Sequence, residues 1–152
     1  MMDQELPVMV AGLAVRTAVG GPMREISETE LVEGQGLRGD VVSRGDRGVT
    51  FLSSRQWAEV VRELGVDLPW HTRRANILLD SAGLAPWLGR TIRLGEAVVR
   101  IIGETRPCEL MDRFQAGLKA ALTPDLRAGV HGRVLKGGWI RVGDRVEPFE
   151  TA

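Results

Sequence analysis

The sequence predicts a mainly β protein, a closed or half-closed barrel with two or three short helices inserted, and three observations carry that prediction. About eight apolar segments of strand length recur along the chain, bounded by glycine, proline and other turn residues. Glycine is abundant, with 19 in 152 residues, and it gathers where those segments end, as tight turns between strands require. One stretch alone carries a full amphipathic helical pattern with a stop or start signal at each end, so strands and helices do not alternate as they do in an α/β sheet.

Taken in order, Val8-Met9-Val10-Ala11-Gly12-Leu13-Ala14-Val15 is a short apolar run followed by Gly20-Gly21-Pro22 and reads as the first strand. Met23 to Val32 alternates in part through Ile26, Thr29 and Leu31 and reads as a second. The stretch Glu33-Gly34-Gln35-Gly36-Leu37-Arg38-Gly39-Asp40 reads as tight turns; it lacks the spacing of a phosphate-binding loop, and no Lys-Ser/Thr follows. Ser43 to Gly48 is a charged turn. Val49 to Leu52 then forms a strand that runs into the best-signalled helix. Ser53 with Gln56 makes a capping box, Trp57, Val60, Val61 and Leu64 form one apolar face, and Gly65 stands at the C-terminal cap.

The loop Asp67 to His71 leads to Thr72-Arg73-Arg74-Ala75-Asn76 and the strand Ile77 to Asp80. Period-two alternation sends Arg74 and Asn76 to one face. Thr91 to Leu94 and Ala97 to Ile102 form a hairpin around Gly95-Glu96, a pair suited to a two-residue II′ turn, and Trp139 to Val142 with Arg145 to Glu147 around Gly143-Asp144 has the same shape. Between these hairpins, Leu110, Met111, Phe114, Leu118, Ala121 and Leu122 recur at helical spacing, interrupted at Gly117 and ended by Thr123-Pro124-Asp125. Gly129 to Leu135 follows as a strand joined through Lys136-Gly137-Gly138 to Trp139.

Length bounds the chain to one domain over 1–152, large enough to fold without staples. One cysteine excludes an internal disulfide, and Cys108 with His71 and His131 has no metal-ligand spacing, so no metal site is expected. No apolar run approaches the ~18 residues of a membrane span, and Met1-Met2-Asp3-Gln4-Glu5 is acidic where a signal peptide is basic. A soluble, cytoplasmic protein is expected. Twenty basic residues balance 20 acidic ones, which gives no bulk support for binding nucleic acid or a membrane. Arginine supplies 18 of the basic residues against Lys119 and Lys136. That excess fits the binding of small anions, through the planar guanidinium fork, and equally fits biased codon usage.

Gly103-Glu104-Thr105-Arg106-Pro107-Cys108-Glu109-Leu110 places the cysteine just after an apolar strand. Pro107 suits the first position of a helix, which would put Cys108 in a first turn where free N–H groups favour an anion, beside Arg106. A reactive thiolate and a small buried hydrophobe are both compatible with such a residue. Arg73, Arg74 and Asn76 form a polar cluster at a strand entrance that can grip an oxyanion or a heterocycle edge.

Arg73-Arg74-Ala75-Asn76-Ile77-Leu78-Leu79-Asp80, then Leu88-Gly89 to Leu94-Gly95-Glu96-Ala97, Pro107-Cys108, Gly129-Val130 and Gly143-Asp144, with Gly36-Leu37-Arg38-Gly39-Asp40 near the start, together resemble a MOSC domain. That module is named for the C-terminal part of molybdenum cofactor sulfurases and also exists as small stand-alone bacterial proteins. The resemblance runs from about Val10 to Val146 and implies a MOSC-type β-barrel. It also implies a sulfur carrier, in which Cys108 takes sulfur as a persulfide from a pyridoxal-phosphate cysteine desulfurase and passes it to a metal-cofactor centre or another acceptor, or else a role for Cys108 as a ligand to the cofactor metal. Arg73, Arg74 and Asn76 are the implied contacts to the molybdenum cofactor (molybdopterin), with Arg106 beside the thiol and Gly39 and Asp40 shaping the adjacent loop. Many relatives carry a histidine after the Gly-Asp pair, where this chain has Val41-Val42-Ser43. No lysine-bearing pyridoxal-phosphate motif fits in the remaining residues, so that cofactor belongs to the partner. The alternative is a barrel without covalent chemistry, which binds a small anion or pterin through arginines at its mouth, with Cys108 as part of the wall.

Overall fold

Nine residues, Val8–Arg16, form β1, the strand on which the barrel closes. The computed structural model describes residues 8–41 and 44–149; the acidic N-terminal residues, and Val42 and Ser43 ahead of the charged turn, lie outside that range. Leu13 of β1 pairs with Ile26 of β2 (Met23–Ile26) on one edge and with Ile77 of β5 (Ile77–Leu79) on the other. On the β2 edge, Val8 and Met9 pair with β10 (Arg145–Pro148). From there the order runs through β6 (Thr91–Leu94), β7 (Ala97–Glu104), β8 (Val130–Lys136) and β4 (Val49–Ser53) to β5, and so back to β1. Seven strands therefore close a barrel, as the mainly β reading expects.

Two strand assignments differ from the sequence reading. Met23 to Val32 is two strands broken at Ser27: β2 pairs with β1, whereas β3 (Glu28–Leu31) pairs with β9 (Gly138–Arg141) in a separate two-stranded sheet. The second expected hairpin is consequently not one, because β9 takes β3 as its partner and β10 enters the barrel between β1 and β6. The turn between them is closed locally instead: the Asp144 carboxylate accepts the Arg141 backbone N–H at 2.7 Å. The first hairpin forms as read, with Leu94 opposite Ala97 and Gly95 at φ 57°.

Period-two alternation divides the barrel wall into two faces. Val49 and Phe51 of β4, with Ile77 and Leu79 of β5, point into the interior, which Leu13, Ile92, Leu94, Val99, Ile101 and Val130 fill. A barrel of this size is a packed core. Leu52 and Leu78 point outward and enter a second core. It contains Trp57 and Val60 of α1 (Ser54–Leu64), Met111 of α2 (Leu110–Phe114), and Leu118 and Leu122 of α3 (Leu118–Leu122). β4 and β5 run parallel, which requires a crossover, and α1 supplies it. The Ser53 hydroxyl accepts the Gln56 N–H at 3.2 Å and Gly65 closes the helix at φ 66°. The Gln56 side chain completes no capping box; it donates to the Asp125 carbonyl at 2.8 Å and ties α1 to the 3-10 turn Pro124–Leu126.

Helix α2 begins at Leu110, with Glu109 as its cap, so Cys108 precedes the helix and is not in its first turn. The Thr105 N–H donates to the Gly129 carbonyl at 2.9 Å and carries the extended path of β7 past Glu104, leaving Pro107 and Cys108 in the connection. None of the described helices is long and apolar enough to cross a membrane.

Gly129 offers a test of how closely β4 and the start of β8 approach. Its φ is 102°, and a Cβ there would lie 2.1 Å from the Phe51 carbonyl oxygen. Gly129→Ala is expected to cost at least about 2 kcal/mol in urea-unfolding free energy, from left-handed strain and displaced backbone together; wild-type stability would refute that contact.

Candidate anion-binding cleft

Thr50 sits between the inward-pointing Val49 and Phe51, so its side chain leaves the barrel on the outer face of β4. A cleft of about 370 Å³ opens there, against the outside of the wall. Arg16 at the end of β1, Arg47 in the 3-10 turn before β4, Arg73 and Arg74 ahead of β5, Thr105 after β7, and Cys108, Leu110 and Met111 around the start of α2 complete its lining. Among the described residues, no carboxylate belongs to that lining. The expected position at a barrel mouth is thereby revised: the interior is occupied by side chains, and the chemistry-bearing groups lie between wall and helices.

Arg73 is only 8% exposed, in the 3-10 turn Trp70–Arg73. Its Nε donates to the Ala128 carbonyl at 2.9 Å, Nη2 to the Thr105 carbonyl at 3.0 Å, and Nη1 points at the Met111 sulfur at 3.9 Å. These partners satisfy the donors but not the charge. Burial lowers the pKa of Arg73, and the negative charge of a Cys108 thiolate acts in the opposite direction. Arg74 caps the same turn at φ 69°, a conformation that costs a side-chain-bearing residue about 1–3 kcal/mol. Its Nη1 donates to the Gly21 carbonyl at 2.5 Å. Burial lowers its pKa, the Arg16 charge lowers it further, and Asp40 opposes both.

Asn76 and Asp40 stand behind the cleft. Asn76 is 1% exposed: its Nδ2 donates to the Ala14 carbonyl at 3.3 Å and to Asp40 Oδ2 at 3.2 Å, and its Oδ1 accepts the Thr50 N–H and hydroxyl, both at 3.1 Å. The Thr50 hydroxyl is engaged with Asn76 twice, donating to Oδ1 and accepting the Asn76 backbone N–H at 3.0 Å. The Asp40 carboxylate accepts the Arg16 backbone N–H at 2.6 Å and pairs with the Arg16 guanidinium at 3.0 Å. Arg74 and Asn76 do not share a strand face, because β5 begins only at Ile77 and Arg74 is left-handed.

Among the residues singled out in the sequence, Cys108, Arg73 and Arg74 therefore meet at the cleft, and Cys108 is exposed. Gly39, at φ 94°, borders a separate recess of about 190 Å³. Arg106 is largely exposed, leans toward Glu104 at 3.8 Å and borders a different recess with Pro107 and Lys119. Arg16, Arg47, Thr50 and Thr105 escaped the sequence reading. Thr50 carried a signal, as a polar residue at an outward position of an apolar strand; Arg47 carried none beyond a charged turn.

His131 faces outward on β8 opposite Thr50, with Nδ1 3.4 Å from the Thr105 hydroxyl. Burial lowers its pKa, the Arg47 charge adds to that, and Asp46 opposes it. Above about pH 6.5 the imidazole is neutral in the folded and unfolded chain alike. Below it the unfolded chain takes up the proton first, so stability is expected to fall from about pH 6.5 toward the depressed folded value. His131→Gln should flatten that part of the unfolding free-energy curve, and an unchanged slope would assign it to another group.

The MOSC domain family model matches residues 19–147. No curated protein matches the chain. Among solved structures, the YuaD protein of Bacillus subtilis superposes with a TM-score of 0.76 at 17% identity, over 96% of this chain and 98% of that one. YiiM of Geobacillus stearothermophilus gives 0.77 at 18% identity over 95% and 76%, and YiiM of Escherichia coli gives 0.72 at 19% over 96% and 70%. At these identities the likeness is one of fold, and the match of the family model over most of the length places the chain in the MOSC domain family.

Proposed function

We propose that this protein is a sulfur-handling member of its family, which accepts sulfur as a persulfide on Cys108 and works beside an anionic cofactor or donor held by the arginine cleft. The observation that supports this reading is the placement of an exposed thiol on a cleft lined by Arg16, Arg47, Arg73 and Arg74, with no lining carboxylate among the described residues. A persulfide donor is a thiol bearing one sulfane sulfur. The Cys108 thiolate attacks that outer sulfur, the donor S–S bond breaks, a new S–S bond forms on Cys108, and the donor leaves as thiolate. Transfer onward to a nucleophilic acceptor repeats the exchange and returns Cys108 to its starting state. The donor that fits is a cysteine desulfurase, whose own pyridoxal phosphate generates the persulfide.

The family is associated with molybdenum cofactor sulfurase-like proteins, and the residues present suit the phosphate-bearing end of that cofactor. Arg16, Arg47, Arg73 and Arg74 would hold the phosphate, since guanidinium forks match its oxygens, and Cys108 would face the rest. When bound, the molybdenum cofactor would supply a metal centre able to take up sulfur. Arg73 would act on a bound anion mainly through its charge, which is desolvated and faces two carbonyls and a thioether and no carboxylate among its hydrogen-bond partners.

Incubation with a cysteine desulfurase and cysteine, followed by intact mass measurement, tests the carrier role. The expected result is a gain of one sulfur atom that a reductant removes and that Cys108→Ser lacks. Failure of Cys108 to load under conditions that load a known acceptor would leave the cleft as an anion-binding site without covalent chemistry.

A further inference from the structure

A carboxylate buried behind a cationic cleft should repel the anions that the cleft attracts. We infer that Asp40 has the opposite net effect: it is a positioning residue that raises anion affinity by fixing Arg16, and Asn76 braces it. This inference rests on the anion-binding part of the reading above and extends it to residues that touch no ligand.

The geometry is that of a built support. The Asp40 side chain is 2% exposed. Its Oδ1 accepts the backbone N–H of Arg16 at 2.6 Å and Nε at 3.3 Å; Oδ2 accepts Arg16 Nη2 at 3.0 Å and Asn76 Nδ2 at 3.2 Å. One edge of the planar guanidinium is thereby turned back into the protein, and the group still lines the cleft. Because the fork is rigid, fixing that edge also fixes the direction of the remaining donors. A long side chain on a half-exposed surface would otherwise lose rotamer entropy on each binding event, and the carboxylate removes that cost in advance. Asn76 is in turn committed at both ends, to Asp40 and Ala14 through Nδ2 and to Thr50 through Oδ1, so the support cannot swing away as the cleft fills.

Asp40→Asn separates the two effects by sign. The variant is nearly isosteric, but its amide confronts a donor on Arg16 or on Asn76 and loosens the hold of this support on the guanidinium, while also removing the repelling charge. Isothermal titration of the full chain with inorganic phosphate, at low and constant ionic strength, reads the balance. The expected result is roughly tenfold weaker binding, the scale seen when a residue that orients a ligating group is lost, with no such change when Asp40→Asn is added to Arg16→Ala. Should Asp40→Asn fail to fold, Arg16→Lys keeps the charge without the fork, and a comparable loss is expected. Equal or tighter phosphate binding by Asp40→Asn, a full loss persisting in the Arg16→Ala background, or wild-type affinity in Arg16→Lys each overturns the inference alone. Absence of phosphate binding by the unaltered chain overturns the anion reading and this inference with it.

Discussion

Crowding four guanidinium groups along one stretch of barrel wall is the constraint to which the surrounding structure answers. Each charge must be solvated by something, and the chain meets the need differently at each position. Arg16 receives a buried carboxylate, Arg47 is exposed to solvent, Arg73 receives two carbonyl oxygens and a thioether, and Arg74 receives a carbonyl and partial exposure. Carbonyl dipoles satisfy N–H donors without cancelling net charge, so the wall keeps a positive field that a ligand can neutralise. The left-handed backbone of Arg74 belongs to the same arrangement: it ends the 3-10 turn one residue after Arg73 and lets two adjacent arginines reach one cleft by different routes.

The wall can carry these charges because a filled barrel does not need its outer face for stability. Seven strands enclose an interior that aliphatic side chains occupy, and the outer face divides between the helical core and the cleft. β4 shows the division within one element. Val49 and Phe51 fill the barrel, Leu52 packs under α1, and Thr50 reaches the polar network. Met111 joins the two outer regions, since it is buried among α1 and α3 residues while its sulfur meets Arg73. Packing of the helices and placement of the deepest arginine are thus coupled through one side chain.

Most of the barrel was legible in the sequence, because its signals are local. Gly95-Glu96 announces a hairpin, Ser53 and Gly65 bracket α1, and apolar runs mark the strands. The errors arose where a partner is chosen by tertiary packing. Nothing within Met23 to Val32 indicates that its halves pair with different strands, and nothing within Trp139 to Glu147 indicates that Trp139 pairs with Glu30. The site was legible in part for the same reason. Cys108, Arg73 and Arg74 stand out as residue types in suggestive company, whereas Arg16 becomes a site residue only because Asp40, 24 positions away, meets it across the wall. Asn76 drew notice as a polar residue at a strand entrance, but its chemistry is spent on Thr50, Ala14 and Asp40.

The position of Cys108 just outside α2 bears on how sulfur could be handled there. A thiol inside a helical turn is fixed by neighbouring backbone and approached from one side; Cys108 lies in a connection between β7 and α2, with Pro107 restricting the chain before it and its carbonyl accepting the Met111 N–H at 3.0 Å. Its side chain is exposed on a cleft that four arginines also line. Exchange with a persulfide on another protein requires three sulfur atoms to align, which a thiol on an open connection permits and a buried one forbids. In the proposed exchange the arginines would act on the displaced charge, because the leaving thiolate would depart beside cations, and stabilising a departing anion lowers the barrier to its release.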